Sequence, residues 1–460
     1  PPIPINKALL NLEKDFSMYV IKVIITYQGL IMGKSITIEG GDYLFRGEVE
    51  PPADKSISHR AIILCSLNEG ISKINNVLMS EDIQSTVFCF EQLGVEFSHN
   101  SNNTIVNSKG INGFSPPKNI LNCGNSGTTA RLLSGILVGQ PFSSILDGDS
   151  SLRTRPMKRI EKPLRDMGAN ISTNNGYLPI KIKPSTIKGR EFLLDLGSAQ
   201  VKSSILLAGL YGENQTKFKD RKKSRDHTEI MLMNFTDNIK FEEDEIIIKP
   251  SLKINLQEIS VPGDPSSAAF FVVATLINKN AELCIKNLCL NPMRIHFIDI
   301  LKRMGGDIKI SNLTLMDGEN TGDITVKSSK LRGVNITEES IPSLIDEIPI
   351  LSLACALAEG ESIISGASEL RFKESDRIKS IVSELKKFGC DIIETDDGLK
   401  IIGKEDLEFA SCYSHQDHRI AMMAAVAATK ARGITTINDV DCVSISFPDF
   451  FKILGGFQKK

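Results

Sequence analysis

Leu164-Arg165-Asp166-Met167-Gly168-Ala169-Asn170-Ile171 passes from a helical apolar period, through a glycine, into a β-branched strand. The same figure returns as Phe90-Glu91-Gln92-Leu93-Gly94-Val95, as Leu301-Lys302-Arg303-Met304-Gly305-Gly306-Asp307-Ile308 and as Leu385-Lys386-Lys387-Phe388-Gly389-Cys390-Asp391-Ile392. In each, the glycine suits the left-handed position that ends a helix before a strand leaves it. The glycines stand about 74, 137 and 84 residues apart, which points to a unit of roughly 70 to 80 residues with one copy lost to view in the middle. The alternative stays open, because helix-glycine-strand is common wherever helices and strands alternate. Both readings predict α/β architecture.

Working outward, Ile348 to Ala358 and Ile420 to Lys430 read as buried helices, and Ile246 to Ile248 and Leu399 to Ile402 as short strands. Lys217 to Ser224 is strongly basic and is expected as a surface loop. Gly263-Asp264-Pro265-Ser266-Ser267 turns before the apolar helix Ala268 to Ile277 and marks a candidate domain crossing. At 460 residues, 41% of them hydrophobic, the chain has material for two or three domains with sizeable cores. A formal net charge of -2 excludes a general binder of nucleic acid or membrane surfaces, so an anion site has to be a local concentration of Lys and Arg. Nine cysteines lie singly with no C-x-x-C pair, which predicts reduced thiols in a cytoplasmic setting and neither a disulfide framework nor a zinc site. The most apolar early segment, Met18 to Met32, is interrupted by Lys22 and Gln28 and is too short to span a bilayer. The chain begins Pro1-Pro2, and residues 1–33 are set aside as an N-terminal extension of unknown role.

Several runs concentrate groups that handle anions. Pro52-Ala53-Asp54-Lys55-Ser56-Ile57-Ser58-His59-Arg60 places two cations and two hydroxyls at what reads as a helix start, where unpaired backbone N–H groups add partial positive charge. An ordinary capped, solvated helix start is the competing reading. Asn122-Cys123-Gly124-Asn125-Ser126-Gly127-Thr128-Thr129-Ala130-Arg131 lets a ligand approach the backbone, but lacks the lysine and order of a Walker loop. Arg153, Arg155, Lys158 and Arg159 crowd the next turn. Ser198-Ala199-Gln200-Val201-Lys202-Ser203-Ser204 and Ser224-Arg225-Asp226-His227-Thr228 repeat the theme, with helix capping as the plainer explanation of each.

The second half supplies acids. Asp346-Glu347 precede an apolar helix, and Glu369-Leu370-Arg371-Phe372-Lys373-Glu374-Ser375-Asp376-Arg377 mixes three cations with three acids. At helical spacing Lys373 and Arg377 share a face, where like charges repel unless an anion lies between them. An ion-pair network with Glu374 and Asp376 is the rival account. Gln416-Asp417-His418-Arg419 puts a titratable histidine and an arginine at the head of another apolar helix. With six histidines, no H-E-x-x-H and no carboxylate triad, no catalytic metal and no cofactor are expected.

Taken in order, these runs resemble the 5-enolpyruvylshikimate-3-phosphate synthase family, whose members condense shikimate 3-phosphate with phosphoenolpyruvate. The resemblance covers Ile36 to Phe457 and rests on Asp54 to Arg60, Asn125 to Thr128, Arg155-Pro156-Met157, Ser198 to Ser203, Asp346-Glu347, Lys373 to Arg377 and Asp417 to Arg419. Ser198-Ala199-Gln200 and Ser224 to Thr228 are similar to class II bacterial members. It implies a two-domain inside-out α/β barrel of six βαβαββ repeats, with the active site in the interdomain cleft. The first strand would lie near Ile36 to Glu50. One domain would comprise residues 34–51 plus 261–460 and the other 52–260.

The resemblance also implies roles. Ser56, Arg60, Ser198, Ala199, Gln200 and Arg225 would hold shikimate 3-phosphate; Gly127, Arg155, Gln200, Arg377 and Arg419 would hold phosphoenolpyruvate; Lys55 and Lys373 would touch both. Asp346 would be the base at the 5-hydroxyl of shikimate 3-phosphate and Glu374 the proton carrier at the methylene carbon, with Lys55 assisting. Acting as an acid at neutral pH asks that burial or coupling raise the Glu374 carboxyl. Ser58 and His59 are left as helix-start structure. Ile445 and Ser446 stand near a position where some members carry a phosphoenolpyruvate-binding lysine. Gly127 beside that subsite implies competitive inhibition by glyphosate. The implied partners are the two small substrates, with no nucleic acid and no membrane, on a monomer. A sister family acting on UDP-N-acetylglucosamine has Lys-Asn in place of Lys55-Ser56 and a catalytic loop cysteine, whereas Cys123 reads as structural. A non-catalytic phosphate-sugar scaffold would not need the acids.

Overall fold

The computed structural model describes residues 24–26, 33–41, 43–100, 103–195, 197–250 and 253–459. The readings of residues 1–33 and of Met18 to Met32 lie outside the described residues, apart from the strand Ile24–Thr26 and Gly33. Among the described residues no helix is long and apolar enough to cross a membrane.

The architecture is mixed α/β, with two hydrophobic cores. The first gathers side chains from Ile36 to Val49 and from Ala268 to Phe457. The second gathers Ala53 to Val261, with Cys289 added. The chain passes between them twice, and the passages lie side by side. Ala53 and Gly263 form a β-bridge, Asp54 N–H donates to the Pro262 carbonyl at 2.7 Å, and Asp264 N–H donates to the Pro52 carbonyl at 2.8 Å.

Six four-stranded sheets among the described residues share one layout. Leu121–Asn122 runs parallel to Ser144–Asp147, which pairs antiparallel with Tyr177–Lys183, which carries Asn170–Asn174 antiparallel at its other edge. The other five follow the same parallel, antiparallel, antiparallel order. Alternation decides which face is inside: in Tyr177–Lys183, Leu178, Ile180 and Ile182 are buried while their neighbours face outward. Gly94, Gly168, Gly305 and Gly389 all have positive φ, between 77° and 100°, and each sits where a helix hands over to a strand.

Helices apolar on every side fill the cores. Pro265–Ile277, Ile348–Ala356 and His418–Lys430 pack against one another in the first core. Gly127–Leu137 and Ala199–Gly209 pack together in the second, where Gly135 lies against the Ser204 carbonyl so closely that a Cβ would sit 2.2 Å from it. Lys55–Leu67 completes that core.

Several expectations shift. Capping residues move three helix boundaries: Asp264 starts its helix at Pro265, Asp417 starts another at His418, and the helix after Glu347 ends at Ala356. The expected loop Lys217 to Ser224 is in part the strand Thr216–Asp220, because Thr216 and Phe218 are buried while Lys217 and Lys219 point outward. The single strand near Ile36 to Glu50 is three, Ser35–Glu39, Tyr43–Leu44 and Arg46–Val49, broken where Gly40 meets the Ala431 carbonyl too closely for any Cβ. Lys373 and Arg377 do not share a helix face, since Lys373 is extended and Asp376 caps a helix that begins at Arg377.

Candidate active site

A cleft between the two cores is lined by the first residues of helices from both sides. Lys55 and Ser56 come from the helix Lys55–Leu67, Gly127 and Thr128 from Gly127–Leu137, and Ala199 and Gln200 from Ala199–Gly209 behind its cap Ser198. Across the gap stand Asp264, cap of Pro265–Ile277, Asp346 just before Ile348–Ala356, and His418 and Arg419 opening His418–Lys430. Helix starts present unpaired N–H groups and a partial positive charge, so the cleft carries a field for anions before any side chain is counted.

Side chains strengthen that field. From the second core, Arg155 donates to Asn125 Oδ1 at 2.6 Å, Arg131 donates to Gln200 Oε1 and, at 3.2 Å, to the Pro156 carbonyl, and Gln200 donates onward to Thr128 at 2.9 Å. The Nε atoms of Arg131 and Arg155 are buried without a hydrogen-bond partner. Burial, with Arg159 and Arg155 nearby, pulls Arg131 down to about 9. Lys55 Nζ lies 3.1 Å from Asp82.

Two carboxylates face this wall. Arg225 donates to Asp346 Oδ2, Arg377 Nη1 lies 3.3 Å and Lys373 Nζ 3.6 Å from Asp346 Oδ1, and Arg419 donates to the Asp346 carbonyl at 2.8 Å. Burial pushes the Asp346 carboxyl up, but these cations outweigh it and hold it well below the usual carboxylate range. Glu374 accepts from Arg377 Nη2 at 2.5 Å and lies 3.8 Å from Arg155. Its burial is likewise outweighed, by Arg377, Arg155, His418 and Lys373, and its carboxyl also sits well below the ordinary value. The expected upward shift of Glu374 is therefore reversed, because desolvation competes there with the cations Arg377, Arg155 and Lys373. Lys373 is lowered, mainly by burial, with Asp346 opposing and Arg377 assisting. Glu347, which accepts a hydrogen bond from Ser266, is raised because burial outweighs the pull of Arg225 and Arg419.

Both sequence accounts of Lys373 to Arg377 meet here. The anion between the two cations is Asp346, and the acids are also paired, Glu374 with Arg377 and Asp376 with Arg371 at 3.1 Å. Arg377 is 1% exposed and is gripped from behind by Asp417 at 2.8 Å.

The cleft brings together every site residue expected from the sequence except Arg60. Arg60 lies behind the wall, where it donates to Thr228 at 2.7 Å, Ser203 at 3.0 Å and the Ser56 carbonyl at 2.9 Å. Its position four residues along the helix turns it under Ser56. Ser58 and His59 are structural: Ser58 Oγ accepts from Leu78 N–H, and His59 bonds Thr86 at 2.8 Å. Cys123 is buried, and Cys89 beside it together with burial pushes its thiol well up. Ser444 reaches Glu81 across the gap at 3.1 Å, and neither Ile445 nor Ser446 lines the cleft.

Sequence reasoning gave no role to Arg131, Arg159, His418, Asp82, Phe372 or Arg294, all of which line the cleft. Arg131, Arg159, His418 and Phe372 lay inside runs already singled out. Arg294 had no local signal, because its partners Asp54 and Asp264 are far away in sequence.

A two-core α/β fold whose cleft gathers converging cations and two ionised carboxylates defines a protein that handles small polyanions. The EPSP synthase (3-phosphoshikimate 1-carboxyvinyltransferase) family model matches residues 39–454, and the chain belongs to that family of carboxyvinyl transferases. It is 48% identical over 419 residues to the 3-phosphoshikimate 1-carboxyvinyltransferase of Thermodesulfovibrio yellowstonii, covering 90% of this chain and 97% of that one. It is also 48% identical over 434 residues to that of Caldicellulosiruptor bescii, covering 93% and 100%. An EPSP synthase structure from Acinetobacter baumannii superposes with a TM-score of 0.83 at 39% identity, covering 92% of this chain and 98% of the other.

Proposed function

We propose that the chain performs the reaction for which its relatives are named. It transfers the enolpyruvyl group of phosphoenolpyruvate to the 5-hydroxyl of shikimate 3-phosphate and releases phosphate. The observation that carries this is the set of ion pairs joining Asp346 and Glu374 to Arg155, Arg225, Lys373 and Arg377 across one cleft. Binding alone would need the cations. It would not need two buried acids among them.

In this reading Ser56, Ser198, the Ala199 backbone, Gln200 and Arg225 hold shikimate 3-phosphate, and Gly127, Arg155, Gln200, Arg377 and Arg419 hold phosphoenolpyruvate. Lys55 and Lys373 reach both, and Arg60 supports Ser56 from behind. Bidentate arginine suits both carboxylate and phosphate. The reaction protonates the methylene carbon, attacks C2 with the 5-hydroxyl, and then expels phosphate as the methyl proton leaves. In the same reading Asp346 takes the hydroxyl proton and Glu374 carries the methylene proton. Substrate anions that engage Arg155, Arg225 and Arg377 would relieve their pull on both carboxylates. Burial then dominates, Glu374 becomes able to hold a proton, and Asp346 becomes a stronger base. Closing the cleft excludes water and strengthens each contact.

We also read residues 34–51 with 261–460 as one domain and 52–260 as the other, built from six βαβαββ units of the class II-like bacterial form. The two cores and the shared sheet layout support it. Nine unpaired cysteines fit a reducing, cytoplasmic setting, and the reading needs neither a cofactor nor a second copy.

A coupled phosphate-release assay tests the reaction. Release should require shikimate 3-phosphate and phosphoenolpyruvate together. No release would remove the enzyme reading, and release with UDP-N-acetylglucosamine in place of the shikimate ester would select the sister activity. Glyphosate should inhibit competitively with phosphoenolpyruvate. A Gly127→Ala side chain meets Arg131, Arg155 and Leu152 at an ordinary 3.6 Å, so the variant should fold, yet its methyl enters the subsite and should weaken inhibition.

A further inference from the structure

Arg225 lies on the link between the strand Thr216–Asp220 and the helix His227–Phe235, and its guanidinium reaches across the cleft to Asp346. A long side chain on a link is placed only as well as the link itself. The two residues after Arg225 fix this one. His227 is fully buried, with Nδ1 2.6 Å from Glu319 Oε1 and Nε2 3.2 Å from Arg294 Nη1. A guanidinium can only donate, so Nε2 accepts, and Nδ1 carries the proton given to Glu319. Asn291 donates through Nδ2 to Glu319 at 3.0 Å and to Asp226 at 2.8 Å. Asn291, Arg294 and Glu319 come from the first-core side, whereas the helix begun by His227 buries Met231 and Leu232 in the second core.

Arg294 extends the knot. Its guanidinium also donates to Asp54 at 2.6 Å and to Asp264 at 2.9 Å. Asp54 in turn caps the helix that presents Lys55 and Ser56, accepting from Ile57 N–H at 2.8 Å. One buried cation thus touches both interdomain passages, that helix start and His227. The donor atoms of His227, Cys289 and Glu319 lie within 4.8 Å of one another, close enough for a metal site. Both histidine nitrogens are engaged, however, and a guanidinium stands against Nε2, so the trio works as a hydrogen-bond knot.

We propose that His227 is a positioning residue: by joining Glu319 and Arg294 it fixes the Arg225 link relative to the helix start that carries Lys55 and Ser56, and so sets affinity for shikimate 3-phosphate. This rests on the reading of Arg225 as a ligand for that substrate. His227→Phe removes both bonds, while His227→Asn keeps a donor near Glu319. Steady-state kinetics with each substrate varied separately should show the KM for shikimate 3-phosphate raised about tenfold in His227→Phe, the effect of one lost charge-assisted bond. The kcat should stay within about threefold and the phosphoenolpyruvate KM should hold. His227→Asn should recover part of the loss. Glu319→Gln bears on the same knot if His227→Phe does not fold.

Arg225→Ala separates the positioning role of His227 from the ligand role of Arg225. The His227→Asn/Arg225→Ala double variant should bind shikimate 3-phosphate no more weakly than Arg225→Ala alone, because the histidine acts through the arginine. Multiplying losses, or equal damage to kcat and both KM values, would overturn the positioning role. An unchanged shikimate 3-phosphate KM in Arg225→Ala would instead overturn the ligand assignment beneath it.

Discussion

Asp346 and Glu374 show how far neighbours can reverse burial. Each is enclosed enough to favour its neutral form, and each is held ionised by cations within 4 Å. Glu374→Gln keeps the shape and removes the proton, so kcat should fall by about 10² to 10⁴-fold, with the far-UV spectrum unchanged. Asp346→Asn should show a similar loss in the same phosphate-release assay; wild-type turnover in either would end its catalytic assignment. Ser56 and Arg60 set the limit of motif reading. Both belong to one run, but only the helical turn shows that Ser56 faces the cleft and Arg60 lies beneath it.

Caps organise the elements. Asp417 accepts from Arg419 N–H at 3.0 Å and grips Arg377 at 2.8 Å, so one carboxylate starts a core helix and backs an active-site cation. Asp417→Ala leaves a buried guanidinium short of its partner and should destabilise the fold by about 3 to 5 kcal/mol in urea unfolding. The loop ahead of that helix is tied down by Glu384, which accepts from His415 at 2.7 Å, Lys387 at 2.9 Å and Tyr413 N–H at 3.0 Å. Burial raises its carboxyl, but these donors prevail and bring it from 4.5 to about 2. The folded carboxyl is the stronger acid, so its contribution is complete above 4.5 and is lost as pH falls toward 2. Glu384→Gln should therefore lower Tm at pH 7, with the difference from the parent shrinking across that window. A constant difference would show that the charge is not what matters. The helix-glycine-strand figure was legible because backbone sterics act over a few residues. The strand Thr216–Asp220 was not, because its lysines mask an alternation that only the partners Glu191–Leu194 and Glu245–Ile248 make meaningful.

At the scale of the molecule, two cores meet along a cleft bridged by Arg225–Asp346, Arg155–Glu374 and Arg159–Glu369. A ligand that binds the folded cleft and not the unfolded chain stabilises by mass action. Shikimate 3-phosphate with glyphosate at about 100 times Kd should add roughly 2.7 kcal/mol and raise Tm, whereas phosphate alone should add much less. An equal rise with phosphate alone would mean that the cleft reads only charge. The α/β periodicity, the helix-ending glycines and the anion-handling runs were legible before any fold was known, since these depend on contacts within a turn or two of backbone. Tertiary structure alone decided that Lys373 and Arg377 meet through Asp346 rather than along a helix, that Glu374 is ionised, and that Arg294 joins Asp54, Asp264 and His227. Those outcomes depend on charges brought together from distant parts of the chain, and their balance against burial exists only once the two cores have closed around them.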